Sequence, residues 1–284
     1  MVALGDERSL SAVPKGIVRH DVGRFDGSLE SAGSLSLRAI EEGVRMALGR
    51  EIDALVTGPV HKPALRSVGV MHPGQTELLK ELVDAEHVGM LMHAESTRLG
   101  GPLRVLLATT HIALRDVPAM LSQARIEDQV RLLWNSLRTH WGIKKPRIAL
   151  CALNPHASDG GLFGSEEGAI LGPATHSLRE SGIDISDPLP ADTVFLRMIG
   201  GAADAIVVPY HDVGMAVFKT VAFGQGVNVT LGLPFPRTSP DHGTAFDRVG
   251  TGTADASSFV EALRLAAKLS LRRPEQPSCH ATLE

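Results

Sequence analysis

The chain is poor in cysteine and in aromatic residues, and it has no long hydrophobic run. Its 284 residues include two cysteines, Cys151 and Cys279, one tyrosine and two tryptophans. Two cysteines without a metal-type spacing exclude a disulfide scaffold, so reduced thiols are expected. No stretch reaches the roughly 18 consecutive apolar residues of a membrane span, and the first residues become charged too early for a signal peptide. The sequence therefore predicts a cytoplasmic protein that does not cross a membrane.

An excess of positive charge is also absent. Lys and Arg number 28 against 32 Asp and Glu, which gives a net charge of -4. A nucleic-acid binder or an anionic-membrane binder would need a basic face, so neither partner is expected. Hydrophobic residues make up 43% and charged residues 21%. These proportions are typical of a globular chain whose core is large enough to fold without a metal or disulfides.

Short apolar segments alternate with segments of helical periodicity. The predicted strands are 53–58, 103–109, 147–153, 204–209 and 227–231, and the predicted helices are 36–50, 124–140 and 257–271. This alternation favours an α/β fold with a largely parallel sheet that helices cover on both faces. In such folds, ligands bind at the carboxyl ends of the strands.

Three of the 12 histidines directly follow predicted strands. They are His111, His156 and His211. One such histidine most often caps a strand, but three in the same context favour a divalent-metal site with open coordination positions. Asp212 is either a carboxylate that orients His211 or a polar loop residue. Six other histidines are expected at the surface: His20, His87, His93, His140, His176 and His280.

Isolated polar groups interrupt the apolar, glycine-rich segment 210–247. Lys219, Asn228 and Arg237 each stand among apolar neighbours. Because a buried charge needs a partner, a substrate phosphate or carboxylate would suit the lysine and the arginine, and a structural ion pair is the equal alternative. Thr76 precedes a short predicted helix as an N-cap or a phosphate ligand. The glycine-rich segment 154–167 ends in a predicted helix start, and it is either an anion site or an ordinary strand-to-helix turn.

Several longer motifs occur in an order that resembles one family. They are TGPVHK, GQTE, LLATTHIALRDV, LNPHASDGG, YHDVG, GVNVTLGLPFPRTSPDHGTA and VGTGTADASSF, between about residues 50 and 260. The chain resembles the 4-hydroxythreonine-4-phosphate dehydrogenases of vitamin B6 biosynthesis, which are related to the isocitrate and isopropylmalate dehydrogenases.

The resemblance implies two α/β/α domains with a largely parallel or mixed sheet and an active-site cleft between them. Residues 1–70 and 215–284 would form the first domain, with a cofactor loop at 241–255. Residues 71–214 would form the second domain, on the dimer side. The expected assembly is a homodimer whose subunits share the active site.

The implied activity is a metal-dependent oxidation of the 3-hydroxyl of 4-hydroxythreonine 4-phosphate by NAD or NADP. Decarboxylation of the 3-oxo acid would then give 3-amino-2-oxopropyl phosphate. Zinc is the first choice of metal, with magnesium or cobalt as alternatives. One alternative keeps this chemistry on threonate or erythronate 4-phosphate, and another is a non-catalytic, truncated metal-binding relative.

The resemblance also assigns roles to individual residues. The metal ligands are His111, His156 and His211, and the catalytic candidates are Lys219 and Asp212. The substrate-binding residues are Gln75, Thr76, Lys219, Asn228 and Arg237, and the cofactor-binding residues are His242, Gly243, Thr244, Ala245 and Asp247.

Two departures from the family pattern stand out. Gln75 occupies a position that is usually histidine, so it keeps hydrogen bonding and loses protonation. Family members also begin with a strand and turn of the form GDPxGIGPE, which this chain lacks. Either its true start lies upstream or it is an N-terminally shortened member.

Overall fold

The computed structural model of the protein describes residues 1–272. Residues 273–284 lie outside the described part, and with them Cys279 and His280. The strands are β1 Val2–Gly5, β2 Val18–Asp21, β3 Leu55–Val56, β4 Gly89–Ala94, β5 Leu103–Leu107, β6 Arg147–Cys151, β7 Asp184–Leu189, β8 Ala205–Val208, β9 Val227–Leu231 and β10 Arg237–Pro240. The α-helices are α1 Glu7–Ser11, α2 Leu29–Leu48, α3 Lys62–Ser67, α4 Gln75–Leu82, α5 Val117–Met120, α6 Gln123–Thr139, α7 Gly172–Glu180, α8 Ala191–Ile199, α9 His211–Ala222 and α10 Ser257–Ser270.

The described residues form one eight-stranded mixed sheet in the order β3-β10-β9-β4-β5-β8-β6-β7. Strands β5, β8, β6 and β7 run parallel to one another, whereas β4 is antiparallel to both β5 and β9. A separate two-stranded parallel sheet joins β1 to β2. The predicted α/β fold with a mixed, largely parallel sheet is therefore confirmed.

Two apolar cores cover the two faces of the large sheet. Leu106 belongs to a core with Leu133 of α6 and Leu265 of α10 on one face. Its neighbours along β5, Val105 and Leu107, belong to the core on the other face with α8 and α9. Because successive strand residues point to opposite faces, both sets of side chains in β5 are buried, and all its residues except Arg104 are apolar.

The predicted elements recur with shifted bounds. Strand β9 occupies 227–231 as predicted, α6 is shifted by one residue at each end, and α10 ends one residue earlier than predicted. Helix α2 begins seven residues earlier than predicted, because the side chain of Ser28 accepts a hydrogen bond from the Ser31 amide and caps it there.

Both predicted domains contribute strands to the same sheet. Strands β3, β10 and β9 come from one and β4 to β8 from the other. The division at residues 70 and 214 stays a prediction. None of the helices within residues 1–272 combines the length and apolarity needed to cross a membrane.

A buried polar cluster lies at the amino end of β5. His93 and Arg104 are paired across β4 and β5, and they are 2% and 8% exposed. Trp141 packs against both. The prediction of a surface position for His93 is wrong, because β4 carries it into the sheet. His93 contacts Glu95 at 3.2 Å, and Lys268 donates to Glu95 at 2.6 Å. We call His93, Arg104 and Trp141 the amino-edge cluster.

Candidate active site

The carboxyl ends of two neighbouring parallel strands, β5 and β8, bring two of the predicted metal ligands together. His111 follows β5, and His211 is the first residue of α9, just after β8. The hydroxyl of Thr109 donates to the carbonyl of Pro209 at 2.7 Å and ties these two strand ends together. The two imidazole rings lie 5.4 Å apart between centroids. Partial burial, together with the charges of His211 and Lys62, lowers the pKa of His111.

The third predicted ligand lies elsewhere in the chain. His156 follows β6 and packs edge-on against Phe163, with centroids 6.3 Å apart. Within residues 1–272, no three His, Cys, Asp or Glu side chains of one chain lie close enough together to hold a metal. The Nδ1 atom of His211 lies 2.7 Å from the Asp212 carboxylate, so Nε2 is the nitrogen available to a metal. One chain therefore brings two of the three predicted ligands together at this edge.

The loop that carries His156 has a left-handed backbone. The φ angles are 52° at His156, 56° at Ala157, 71° at Ser158 and 45° at Asp159. Each non-glycine residue in this conformation costs roughly 1–2 kcal/mol. Such strain is concentrated at functional sites in proteins, so the loop is a candidate for a functional part of the site.

A cleft of about 450 Å³ opens over β10, β9, β4 and β5. Its walls include many of the predicted site residues. These are Gln75, Thr76, His111, Asn228, Arg237 and His242. Residues from well-separated parts of the sequence thus converge on one cavity beside the histidine pair, which is the arrangement expected of an active site.

Arg237 is the most deeply buried charged group of the cleft. It is 2% exposed. Its guanidinium donates to the hydroxyls of Thr57 at 2.6 Å and Thr230 at 2.9 Å, and to the side-chain oxygen of Gln75 at 3.2 Å. Burial lowers the pKa of Arg237 to about 10, and the negative charge of Glu77 acts in the opposite direction. The Nε atom has no hydrogen-bond partner.

The amino end of α4 faces the same cleft. Gly74, Gln75, Thr76 and Glu77 all line it. The Gln75 side-chain nitrogen donates to the carbonyl of Gly58 at 2.9 Å. A helix amino end presents free N–H groups, which favour an anionic group placed there.

Asn228 and Asp241 also line the cleft, and Asp241 holds the predicted site residue Lys219. The Oδ1 atom of Asn228 is buried without a hydrogen-bond partner. The Lys219 ammonium lies 2.8 Å from the Asp241 carboxylate and donates to the Asp241 carbonyl at 2.8 Å. The Asp241 side chain is 5% exposed. Lys219 is thus held by a structural ion pair, one of the two alternatives that the sequence left open.

The predicted cofactor loop extends from the cleft. His242 and Gly243 line it, whereas Thr244, Ala245 and Asp247 are not among its wall residues. Phe246 in the loop packs edge-on against His61, with centroids 5.1 Å apart, and so joins the loop to the segment after β3.

Sequence reasoning missed several residues of the site. Thr57, Thr230 and Asp241 hold the arginine and the lysine, and Glu77 and Gln129 line the cleft. The available signal was a polar residue on a predicted buried face. Gln129 stands on the apolar face of α6, and Thr230 in β9.

The helix start at the end of the glycine-rich segment 154–167 already carries an anion, because the amides of Ser165 and Glu166 donate to the Glu166 carboxylate. The buried carboxylate of Glu167 accepts from the amides of Leu153 at 2.9 Å and Asn154 at 2.7 Å. The protein's own anion therefore occupies these donors. Burial and Glu167 raise the pKa of Cys151 to about 12, so its thiol stays protonated.

Comparison with known proteins gives this arrangement a family. The family model for the pyridoxal phosphate biosynthetic protein PdxA matches residues 8–266. A 4-hydroxythreonine-4-phosphate dehydrogenase of Geobacter metallireducens is 45% identical over 240 residues, which cover 84% of this chain and 69% of that protein. The chain belongs to the PdxA family. The resemblance expected from the motifs is confirmed.

Solved structures agree with the PdxA assignment. A 4-hydroxythreonine-4-phosphate dehydrogenase from Klebsiella pneumoniae has a TM-score of 0.81 at 38% identity, covering 91% of this chain and 79% of that one. An isocitrate dehydrogenase from Methylococcus capsulatus has a TM-score of 0.51 at 14% identity, covering 84% of this chain and 81% of that one. This second likeness concerns the fold alone, and the fold is of the kind that the resemblance implied.

Proposed function

We propose that this chain oxidises the 3-hydroxyl of 4-hydroxythreonine 4-phosphate with NAD or NADP and decarboxylates the 3-oxo acid to 3-amino-2-oxopropyl phosphate. The observation that carries the proposal is the convergence of Arg237, Asn228, Thr76 and His111 on one cleft in a chain of the PdxA family. A cytoplasmic location stays a prediction.

The residues of the cleft suit an anionic, hydroxylated substrate. Arg237 would bind an anionic group, phosphate or carboxylate, and the amino end of α4 with Thr76 would bind the other. Asn228 would accept a hydrogen bond from a hydroxyl or amino group, because its buried Oδ1 has no other partner. These contacts orient the hydroxyl-bearing carbon toward the histidine pair.

The histidines fit a divalent metal. The ring centroids of His111 and His211 lie 5.4 Å apart. The Asp212 carboxylate contacts Nδ1 of His211, as a carboxylate commonly does when it orients a metal-binding imidazole. A metal held there would supply a Lewis acid for the substrate hydroxyl and for the carbonyl that forms, and a bound nicotinamide would supply the hydride acceptor. Lys219 would hold an anionic group or a proton near the reacting carbons. Residues of the loop 241–255, beginning with His242 and Gly243, would bind the cofactor.

We propose that His156 joins the site from a second subunit. Its own chain keeps it apart from the other two histidines. A symmetric homodimer would present the His156 loop of one subunit to the His111–His211 pair of the other, in both directions.

Subunit mixing tests the shared site. We expect His111→Ala and His156→Ala each to lose metal and activity when alone. Mixed dimers of the two keep one intact site, so refolding them together should restore about a quarter of the activity and a matching amount of bound metal. The control mixes His111→Ala with His211→Ala, which breaks both sites and restores nothing. Equal recovery in both mixtures would contradict the arrangement.

The reaction is tested by NAD(P)H formation at 340 nm. The metal-loaded protein is offered 4-hydroxythreonine 4-phosphate, then threonate and erythronate 4-phosphates. Turnover of the first with release of CO₂ is the expected result. Turnover of a sugar-acid phosphate alone would move the substrate assignment, and silence with all three, with metal bound, would identify a non-catalytic relative.

A further inference from the structure

We propose that Gln75 is a positioning residue that keeps the Arg237 guanidinium within a set of uncharged acceptors, so that its charge stays available for an anionic group of the substrate. We call the side-chain oxygens of Thr57, Gln75 and Thr230 the neutral cage. The inference rests on the proposed function only in assigning the anion to the substrate.

Arg237 is held by uncharged oxygens alone. Both terminal nitrogens of the guanidinium are held by the cage, at 2.6 Å, 3.2 Å and 2.9 Å from Thr57, Gln75 and Thr230. In the part of the chain that the structure describes, no carboxylate forms an ion pair with Arg237 within 4.0 Å. A guanidinium buried to 2% exposure is thus fixed in direction without being neutralised.

The Gln75 amide is held in one orientation by the backbone after β3. Its side-chain nitrogen donates to the Gly58 carbonyl at 2.9 Å, which turns the oxygen toward Arg237. Gly58 follows β3, so the amide joins the β3 end, the start of α4 and the start of β10. Both ends of the amide serve the protein, and Gln75 acts on a bound anion through Arg237.

The buried charge of Arg237 favours the binding of an anion. Burying a cation without a counter-ion is unfavourable, and the unfavourable energy is relieved when an anion binds. A carboxylate in the cage would relieve it permanently and would repel the incoming anion. Glu77 is close enough to interact with Arg237 through space, but it stands outside the cage. An uncharged hydrogen-bonding residue at position 75 avoids both effects.

Two substitutions of similar size separate charge from positioning. Gln75→Glu keeps the shape and adds a negative charge, and Gln75→Met keeps the length and removes both hydrogen bonds. Binding of inorganic phosphate and of threonate, which has a carboxylate and no phosphate, is measured by calorimetry on the full metal-free chain at pH 8. The two probes distinguish which anionic group Arg237 takes. Exposed Gln225→Glu is the control with the same change of net charge.

For the anion that the wild type binds, we expect Gln75→Glu to weaken affinity by at least about tenfold, Gln75→Met by about threefold, and Gln225→Glu hardly at all. With turnover, the Gln75→Met loss should appear mainly in KM. Three results would each overturn the inference. Gln75→Glu could bind the anion as tightly as the wild type, Gln75→Met could lose as much affinity as Gln75→Glu, or the wild type could bind neither anion. The expected binding pattern without turnover of any substrate would contradict the proposed function alone.

Discussion

The large sheet contains two buried arginines at opposite ends of its strands. Arg237 lies level with the carboxyl end of β5 and faces a cleft, whereas Arg104 lies near the amino end of β5 and does not. Arg237 and Arg104 are 2% and 8% exposed, burial lowers the pKa of both, and the Nε atom of each has no hydrogen-bond partner. Arg104 donates to the Asp204 carbonyl at 2.9 Å and lies over Trp141. Arg237 lines a cavity together with Asn228 and the start of α4.

The difference teaches that burial and a shifted pKa do not by themselves indicate a functional residue. Arg104 packs within the amino-edge cluster, where Glu95 and Asp204 supply negative charge from nearby. Arg237 is held only by neutral oxygens next to open space. The accessible volume beside the unpaired charge is what separates a binding group from a structural one.

Replacing each arginine by methionine should break this comparison most clearly. Arg237→Met should lower kcat/KM by roughly 100-fold or more, because a charge-assisted contact to the substrate is lost. Its melting temperature should rise, since an unpaired buried cation is removed. Arg104→Met should change kcat/KM by less than about threefold. Steady-state kinetics and thermal denaturation of both variants decide, and similar kinetic losses would show that the two arginines do not differ in role.

A smaller effect concerns His93 in the amino-edge cluster, which should make the stability of the protein depend on pH. Burial lowers the pKa of His93, with Glu95 and Arg104 acting as opposing secondary influences. The folded state therefore keeps His93 neutral, while the unfolded state takes up a proton below about pH 6.5. The stability that this contributes is present above that pH and is lost as the pH falls, by up to about 1.4 kcal/mol at pH 5.5.

Denaturant unfolding at pH 7.5 and pH 5.5 measures this loss. We expect His93→Gln to flatten the pH dependence of the free energy of unfolding. Exposed His176→Gln on α7 should leave it unchanged. An undiminished slope in His93→Gln would show that the titrating group lies elsewhere.

The smallest expected effect concerns the left-handed loop of His156. Ala157→Gly should stabilise the protein by about 1 kcal/mol, because glycine adopts a positive φ without strain. Ala267→Gly, at an exposed position within α10, should destabilise it by a similar amount. Chemical denaturation measures the free energy of unfolding of both variants. An increase in Ala157→Gly with a decrease in Ala267→Gly would place the strain in the His156 loop, and a decrease in both would contradict the strain argument.

The sequence predicted the elements whose residues are uniformly apolar or strongly periodic. Strand β9 and helices α6 and α10 were found in this way. Strand β10 was missed because its four residues, Arg-Thr-Ser-Pro, are polar although all are buried. A polar strand becomes buried only when its side chains find partners on distant segments, as Arg237 does with Thr57, and single-sequence patterns do not contain that information.

Parts of the site followed the same rule. The strand-end argument predicted the approach of His111 and His211, because β5 and β8 are parallel neighbours. It did not predict that His156 would lie apart, since that depends on the left-handed loop after β6. The neutral cage and the Lys219–Asp241 pair were missed because they join residues far apart in the sequence.

The Lys219–Asp241 pair fixes the position from which Lys219 can contact a substrate. The Asp241 carboxylate is 5% exposed, so a lysine that turned to a new anion would leave a buried negative charge behind. Removing one partner of such a pair is unfavourable by about 3–5 kcal/mol. An anion that engages Lys219 therefore meets a lysine fixed at Asp241 and can use the one N–H of the ammonium that Asp241 does not accept. The position of Asp241, at the start of the segment 241–255, thus sets where such an anion could bind.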